Sequence, residues 1–249
     1  MSKSSASRRL VETSKNAGGE RFRGSSEIPL TADGVYKAKQ LGQKIAAKGG
    51  LDAIVVSDLG RTLKTAEILS KATGAPIVEV TKGLHPWHLG RLEGQMVTPD
   101  KLALQNHLIG TEPDMKIPGQ GPKSTEIGES FNDFKNRTGK YIQKLYDQHV
   151  RDPKKRIGAI THFRVLRLVQ AALKNGTLDS TFDINPKDME VGGKGDDPGS
   201  VHVIYKGGDG KPQLDRVDMG KIDSVPSGIL LIRHESTPWN AGIHSGAQS

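Results

Sequence analysis

The sequence predicts an α/β fold, a three-layer α/β/α sandwich with a mainly parallel sheet, and three observations carry that expectation. Short apolar runs rich in Ile and Val recur along the chain, segments with helical spacing separate them, and glycines or capping residues fall at the junctions. The strand candidates are residues 51–57 (LDAIVVS), 75–80 (APIVEV), 156–161 (RIGAIT), 200–205 (SVHVIY) and 228–233 (GILLIR). Their nearly continuous hydrophobicity suits strands covered on both faces.

Each helix candidate has its own signal. Residues 31–48 open on Thr31 as a candidate N-cap and put Val35, Ala38, Leu41 and Ile45 on one face. Residues 59–72 and 163–175 follow strands directly, with Gly74 and Gly176 as C-terminal stops. Residues 124–148 place Phe131, Phe134, Tyr141 and Leu145 near helical spacing. By contrast, 201–205 and 213–217, joined by the Gly/Asp-rich 207–210, read as a β-hairpin. The Pro/Gly-rich stretches 83–114 and 179–199 read as long loops, of the kind that often bind ligands. Residues 1–20 and 241–249 lack sustained periodicity and read as flexible ends flanking one domain at 21–240.

Composition narrows the chemistry. A chain of 249 residues can bury a sizeable core unaided, and its lack of cysteine excludes disulfides, thiolate metal sites and a thiol nucleophile. Lys and Arg number 36 against 28 Asp and Glu, a net charge of +8 that suits anionic ligands. Nucleic acid is not the expected partner, because the basic residues are dispersed and aromatics make up only 4%. No apolar run approaches the roughly 18 residues of a membrane span. The polar opening MSKSSASRR has no apolar signal stretch, so a soluble cytoplasmic protein is expected.

In parallel α/β sheets, ligands collect beyond the carboxyl ends of the strands. Strand 228–233 ends in Arg233-His234, strand 156–161 in Thr161-His162, and strand 51–57 leads into Asp58-Leu59-Gly60-Arg61. Two guanidinium and two imidazole groups thus face one sheet edge. Guanidinium holds phosphate oxygens in forked hydrogen bonds. Neighbouring cations keep an imidazole neutral and therefore nucleophilic, and a second imidazole can stabilise a phosphoryl group in transfer. Such chemistry calls for neither metal nor cofactor. Singly, each of these residues reads equally well as a strand-end or ion-pair residue; their convergence favours a site.

Leu231-Ile232-Arg233-His234, followed by Thr237 and Asn240, resembles the RHG motif of the histidine phosphatase superfamily, in its phosphoglycerate-mutase-like branch. Further likenesses are Arg21-Phe22-Arg23-Gly24, Ile28-Pro29-Leu30-Thr31 with Gly34, Ser57-Asp58-Leu59-Gly60-Arg61-Thr62 with Thr65-Ala66, Gly128-Glu129-Ser130, Thr161-His162 and Ser200-Val201. The resemblance spans most of 21–240. It implies that His234 is the phosphorylated nucleophile and that Arg233, Arg61 and His162 complete the phosphate pocket. Arg21, Asn240 and Glu129 would be auxiliary substrate or phosphate contacts, with Asn16 a rival to Asn240.

The order departs from the family, whose RH strand comes first, so the chain looks circularly permuted. Residues 9–18 (RLVETSKNAG) resemble 233–242 (RHESTPWNAG), with Leu10 where the second copy has His234. That suggests a duplicated motif whose first copy has decayed, or an engineered or tandem-derived permutation. Two further departures concern chemistry. Glu235 stands where the family has Gly, free either to crowd the phosphate or to point outward. Pro86 stands where the family's leaving-group acid would be, and proline transfers no proton. His88 is the preferred substitute, followed by the absence of any local acid, with His85 and, less favoured, Glu93 as the other candidates. The expected function is a metal-independent phosphomonoesterase acting on a phosphorylated small molecule or phosphopeptide. The alternatives are a mutase, or an inactive relative that binds phosphorylated ligands or serves in assembly.

Overall fold

A computed structural model of the chain describes residues 21–119, 127–174, 178, 184–189 and 197–238. In chain order the elements are α1 (Ala32–Ala47), β1 (Ala53–Ser57), α2 (Gly60–Thr73), β2 (Ile77–Thr81), α3 (Pro99–Gly110), α4 (Phe131–Arg151), β3 (Arg156–Thr161), α5 (Phe163–Lys174), β4 (Val201–Lys206), β5 (Pro212–Val217) and β6 (Gly228–Arg233). The strands form one sheet in the order β2-β1-β3-β6-β4-β5. The first four are mutually parallel, and β4 runs antiparallel to both β6 and β5.

The last strand in the chain therefore lies inside the sheet, and all six of its residues are buried. Its side chains alternate between two cores, as the two-residue period of a strand requires. Ile229 and Leu231 pack with Ala159 of β3, Ile142 and Leu145 of α4, and Leu166 and Val169 of α5. Leu230 and Ile232 pack with Ile160, with Leu41 and Ile45 of α1, and with Leu69 of α2. The helices thus cover both faces, completing the expected three layers. Beyond β6 the chain is fastened to the start of α1. The Thr31 N–H donates to the Ser236 carbonyl at 2.9 Å. Only a glycine fits beside that carbonyl at position 34, where a Cβ would come within 2.4 Å of it.

The sequence signals act locally as expected at several ends. Thr31 caps α1, Gly74 ends α2 in the left-handed region at φ 75°, and β4–β5 is the expected hairpin. Three expectations need correction. The edge strand β2 is not covered on both faces: Val78 and Val80 are 59% and 55% exposed. The helix expected from residue 124 begins at Phe131, because Ser130 closes a capping box with Asp133. Within the expected loop 83–114 lies α3, which starts with Pro99 in its first turn and buries Gln105, Leu108 and Ile109. Asn16, Gly176, Asn240, the motif copy at 9–18 and the two end segments lie outside the described residues. Among the described residues, no helix is long and apolar enough to cross a membrane.

Candidate active site

Parallel pairing brings the ends of β1, β3 and β6 to one edge. Thr161 is in register with Arg233, and the His234 N–H donates to the Thr161 carbonyl at 3.1 Å. The two residues that follow these strands, His162 and His234, consequently meet, with ring centroids 5.2 Å apart at an interplanar angle of 64°. Arg61, in the first turn of α2, reaches the same point from β1. Its side chain is buried, and its Nε–H donates to His234 Nε2 at 3.3 Å. Each terminal nitrogen also gives one of its two hydrogens to main chain: Nη1 donates to the Ser26 carbonyl at 2.7 Å and Nη2 to the Gly24 carbonyl at 2.9 Å.

These contacts define the state of His234. Its Nδ1 lies 2.7 Å from the Glu235 carbonyl, an acceptor only, so Nδ1 carries the proton. Nε2 then holds the ring's lone pair, which accepts the Arg61 Nε–H. Burial, followed by the charge of Arg61, holds the His234 pKa well below its ordinary value. The same two causes depress His162, whose Nε2 shares a 2.8 Å hydrogen bond with Ser57 Oγ. Burial also pulls Arg61 down, to about 10, which leaves it charged at neutral pH.

A cavity of about 280 Å³ opens over this group. Arg21, Arg23, Arg61, Arg164 and Arg233 line it together with His162, His234 and Gln105, and Phe22, Pro86, Trp87, Leu89, Val97, Leu102 and Phe163 form its apolar wall. The Arg233 guanidinium sits 5.1 Å from the centroid of the Phe163 ring. Arg21 donates from Nη1 to the Gly94 carbonyl at 2.6 Å. Among the described lining residues none is a carboxylate. Among the described residues generally, no group of three or more His, Cys, Asp or Glu could hold a metal ion.

The structure thus brings Arg61, His162, Arg233, His234 and Arg21 together. It does not bring in Glu129 or His88. The Glu129 carboxylate is held by Arg137, from whose Nε and Nη2 it accepts bonds of 2.8 Å each. Arg137 also donates to the carbonyls of Lys82, His85 and Pro86, so the pair ties α4 to the 82–86 turn instead of facing a ligand. His88 does not line the cavity, and its Nε2 stands 3.7 Å from Glu93 Oε1. Glu93 is itself a clamp, accepting from the Ser25 and Leu89 N–H groups and from the Ser26 hydroxyl. Glu235 points away from the cavity. Its Oε1 lies 2.0 Å from where a Cβ on Gly199 would be, and Gly199 adopts φ +78°. Burial there pushes the Glu235 carboxyl pKa up.

Sequence reasoning missed Gln105, because α3 read as loop. It also missed a hydrogen-bonded chain next to the cavity-lining Gly24 and Pro86. His85 Nδ1 donates to Asp58 Oδ1 at 2.6 Å, and His85 Nε2 is 2.9 Å from Ser25 Oγ. No sequence spacing announces three residues drawn from three separate segments.

The comparisons with known proteins agree with this fold. The model for the histidine phosphatase superfamily (branch 1) matches residues 11–191. A probable phosphoglycerate mutase GpmB of Serratia proteamaculans is 33% identical over 125 residues, which is 49% of this chain and 56% of that protein. Its counterpart in Klebsiella pneumoniae is 36% identical over 124 residues, with the same coverage. The chain thus spans about half the length of the curated relatives it matches. Among solved structures, Bacillus stearothermophilus YhfR matches with a TM-score of 0.55 at 27% identity, over 83% of this chain and 90% of that one. A mycobacterial glucosyl-3-phosphoglycerate phosphatase complexed with inorganic phosphate has the same fold, with a TM-score of 0.55 at 21% identity over 80% and 91% of the two chains. A parallel-sheet edge carrying paired imidazoles and buried guanidinium groups, together with a family match over most of the chain, leads to one conclusion: this chain belongs to the histidine phosphatase superfamily, branch 1.

Proposed function

We propose that the chain is a phosphomonoester hydrolase that works through a phosphohistidine on His234 and requires no metal ion. The observation that carries this reading is the fixed tautomer of His234, whose Nε2 lone pair accepts the Arg61 Nε–H beside an arginine-lined cavity. As the Arg61 Nε–H turns from His234 Nε2 to a phosphate oxygen, Nε2 attacks phosphorus in line, an N–P bond forms, and the P–O bond to the leaving group breaks. Arg61 and Arg233 hold the non-bridging oxygens. His162 adds a donor from Nδ1, which has no hydrogen-bond partner among the described residues. Water then cleaves the N–P bond and returns His234 to its starting state. In this reading the nucleophile strand is supplied by the C-terminal part of the chain, a permuted arrangement supported by the place of β6 inside the sheet.

The test is turnover of 4-nitrophenyl phosphate in EDTA by the unaltered protein and by His234→Ala. The reading expects turnover only in the first; equal rates would refute it. The names of the GpmB relatives favour a second reading, transfer of the phosphoryl group to another hydroxyl of the substrate. Formation of a positional isomer of a phosphoglycerate, without release of inorganic phosphate, would select that reading.

A further inference from the structure

Breaking the P–O bond of an alkyl phosphate needs a proton on the departing oxygen, and the cavity wall offers Pro86 where the family resemblance puts an acid. Ser25, His85 and Asp58 do not line the cavity themselves, but Ser25 and His85 adjoin residues that do. From the hydrogen-bonded chain Asp58–His85–Ser25, we infer that these three side chains form the proton relay for the leaving group. The inference rests on the phosphohydrolase reading and gives that site its missing acid.

Three observations join the relay to the nucleophile. Ser25 directly follows Gly24, and His85 directly precedes Pro86; both neighbours line the cavity. The Ser25 main chain is pinned on three sides. Glu93 takes its N–H at 2.8 Å, and Arg61 binds the carbonyls of Gly24 and Ser26 on either side. The guanidinium that grips this turn also donates to His234 Nε2, so one rigid group spans the distance between the serine and the nucleophile. Burial lowers the His85 pKa overall; Asp58, bonded to Nδ1 at 2.6 Å, opposes that effect and fixes the ring's orientation. The side chains of His85 and Asp58 are 17% and 28% exposed, which lets water restore the proton after each cycle.

The transfers balance. As the P–O bond breaks, the Ser25 hydroxyl gives its proton to the departing oxygen and takes one from protonated His85 Nε2, leaving His85 neutral and still bonded to Asp58. In the second half, the attacking water gives a proton to Ser25 Oγ, and Ser25 passes its own to His85. Only Ser25 meets the leaving group; His85 and Asp58 act through it.

The experiment measures kcat/KM, which reports formation of the phosphoenzyme, across 4-nitrophenyl, phenyl and glyceryl phosphates. Their alcohols span about 7 pKa units. The unaltered protein should show a shallow dependence on leaving-group pKa. Ser25→Ala and Asp58→Asn should lose about 10²-fold on glyceryl phosphate, a loss that shrinks steadily toward the nitrophenyl ester, and Ser25→Thr should restore the shallow series. A uniform loss across the series, no loss at all, or an unaltered protein already as steep as its variants would overturn the relay. In each of those cases His234-dependent turnover would leave the parent reading standing. No turnover of any ester by the unaltered protein would defeat the parent reading, and the relay with it.

Discussion

Replacing Arg61 by Lys keeps the charge and removes the fork, so it separates geometry from electrostatics. The native guanidinium makes three directed bonds from a fully buried position, to His234 Nε2 and to the carbonyls of Gly24 and Ser26. A lysine ammonium reaching along the same path can keep one carbonyl but cannot span both and the imidazole. Each buried charge-assisted bond contributes about 1.5–3 kcal/mol, and a carbonyl left unpaired adds its desolvation penalty. Loss of one carbonyl contact and the imidazole contact should therefore cost at least about 3 kcal/mol of stability. Urea unfolding should show this as a lower midpoint with an unchanged slope. Because the same guanidinium would present its remaining N–H groups to the phosphate, kcat/KM should fall by about 10²–10³-fold. A variant within about 0.5 kcal/mol of the parent, with kcat/KM within about threefold, would refute the assignment of Arg61 as the brace between turn and nucleophile.

Two other outcomes are expected. In Gly199→Ala, the positive φ and the close approach to Glu235 should cost about 1–3 kcal/mol. Adding Glu235→Gly should recover at least about 0.5 kcal/mol of that loss in a double-mutant cycle, and strict additivity would contradict the contact. His162 and His234, held well below the ordinary value of 6.5, bind fewer protons folded than unfolded. Stability should therefore be level above that pH and fall as pH drops below it, with kcat/KM retained to lower pH than an ordinary histidine allows. Urea titrations in which the protein grew more stable on acidification through this range would contradict burial of the neutral pair.

The parts legible in the sequence are those set by local pattern. Runs such as GILLIR and RIGAIT mark buried strands by composition alone. Because His234 and His162 directly follow them, their convergence follows from parallel pairing. Caps at Thr31 and Gly74 were likewise readable, since a cap bonds residues close in sequence. What could not be read depends on contacts that no local pattern announces. Glu129 looks like any exposed carboxylate until α4 presents Arg137 to it. His88 and His85 are three residues apart and chemically alike, yet only His85 meets Asp58 and Ser25. Helix α3 was hidden because its few buried residues draw no strong apolar stripe. The exposure of Val78 and Val80 was hidden because an edge strand can have the same composition as a central one.

The most direct measurement is to quench the protein during turnover and locate any bound phosphate by mass spectrometry under conditions that preserve N–P bonds. A phosphoryl group on the peptide carrying His234, gained with substrate and absent from His234→Ala, is the expected result. Turnover with the label on another residue, or with no phosphoenzyme and no dependence on His234, would contradict it.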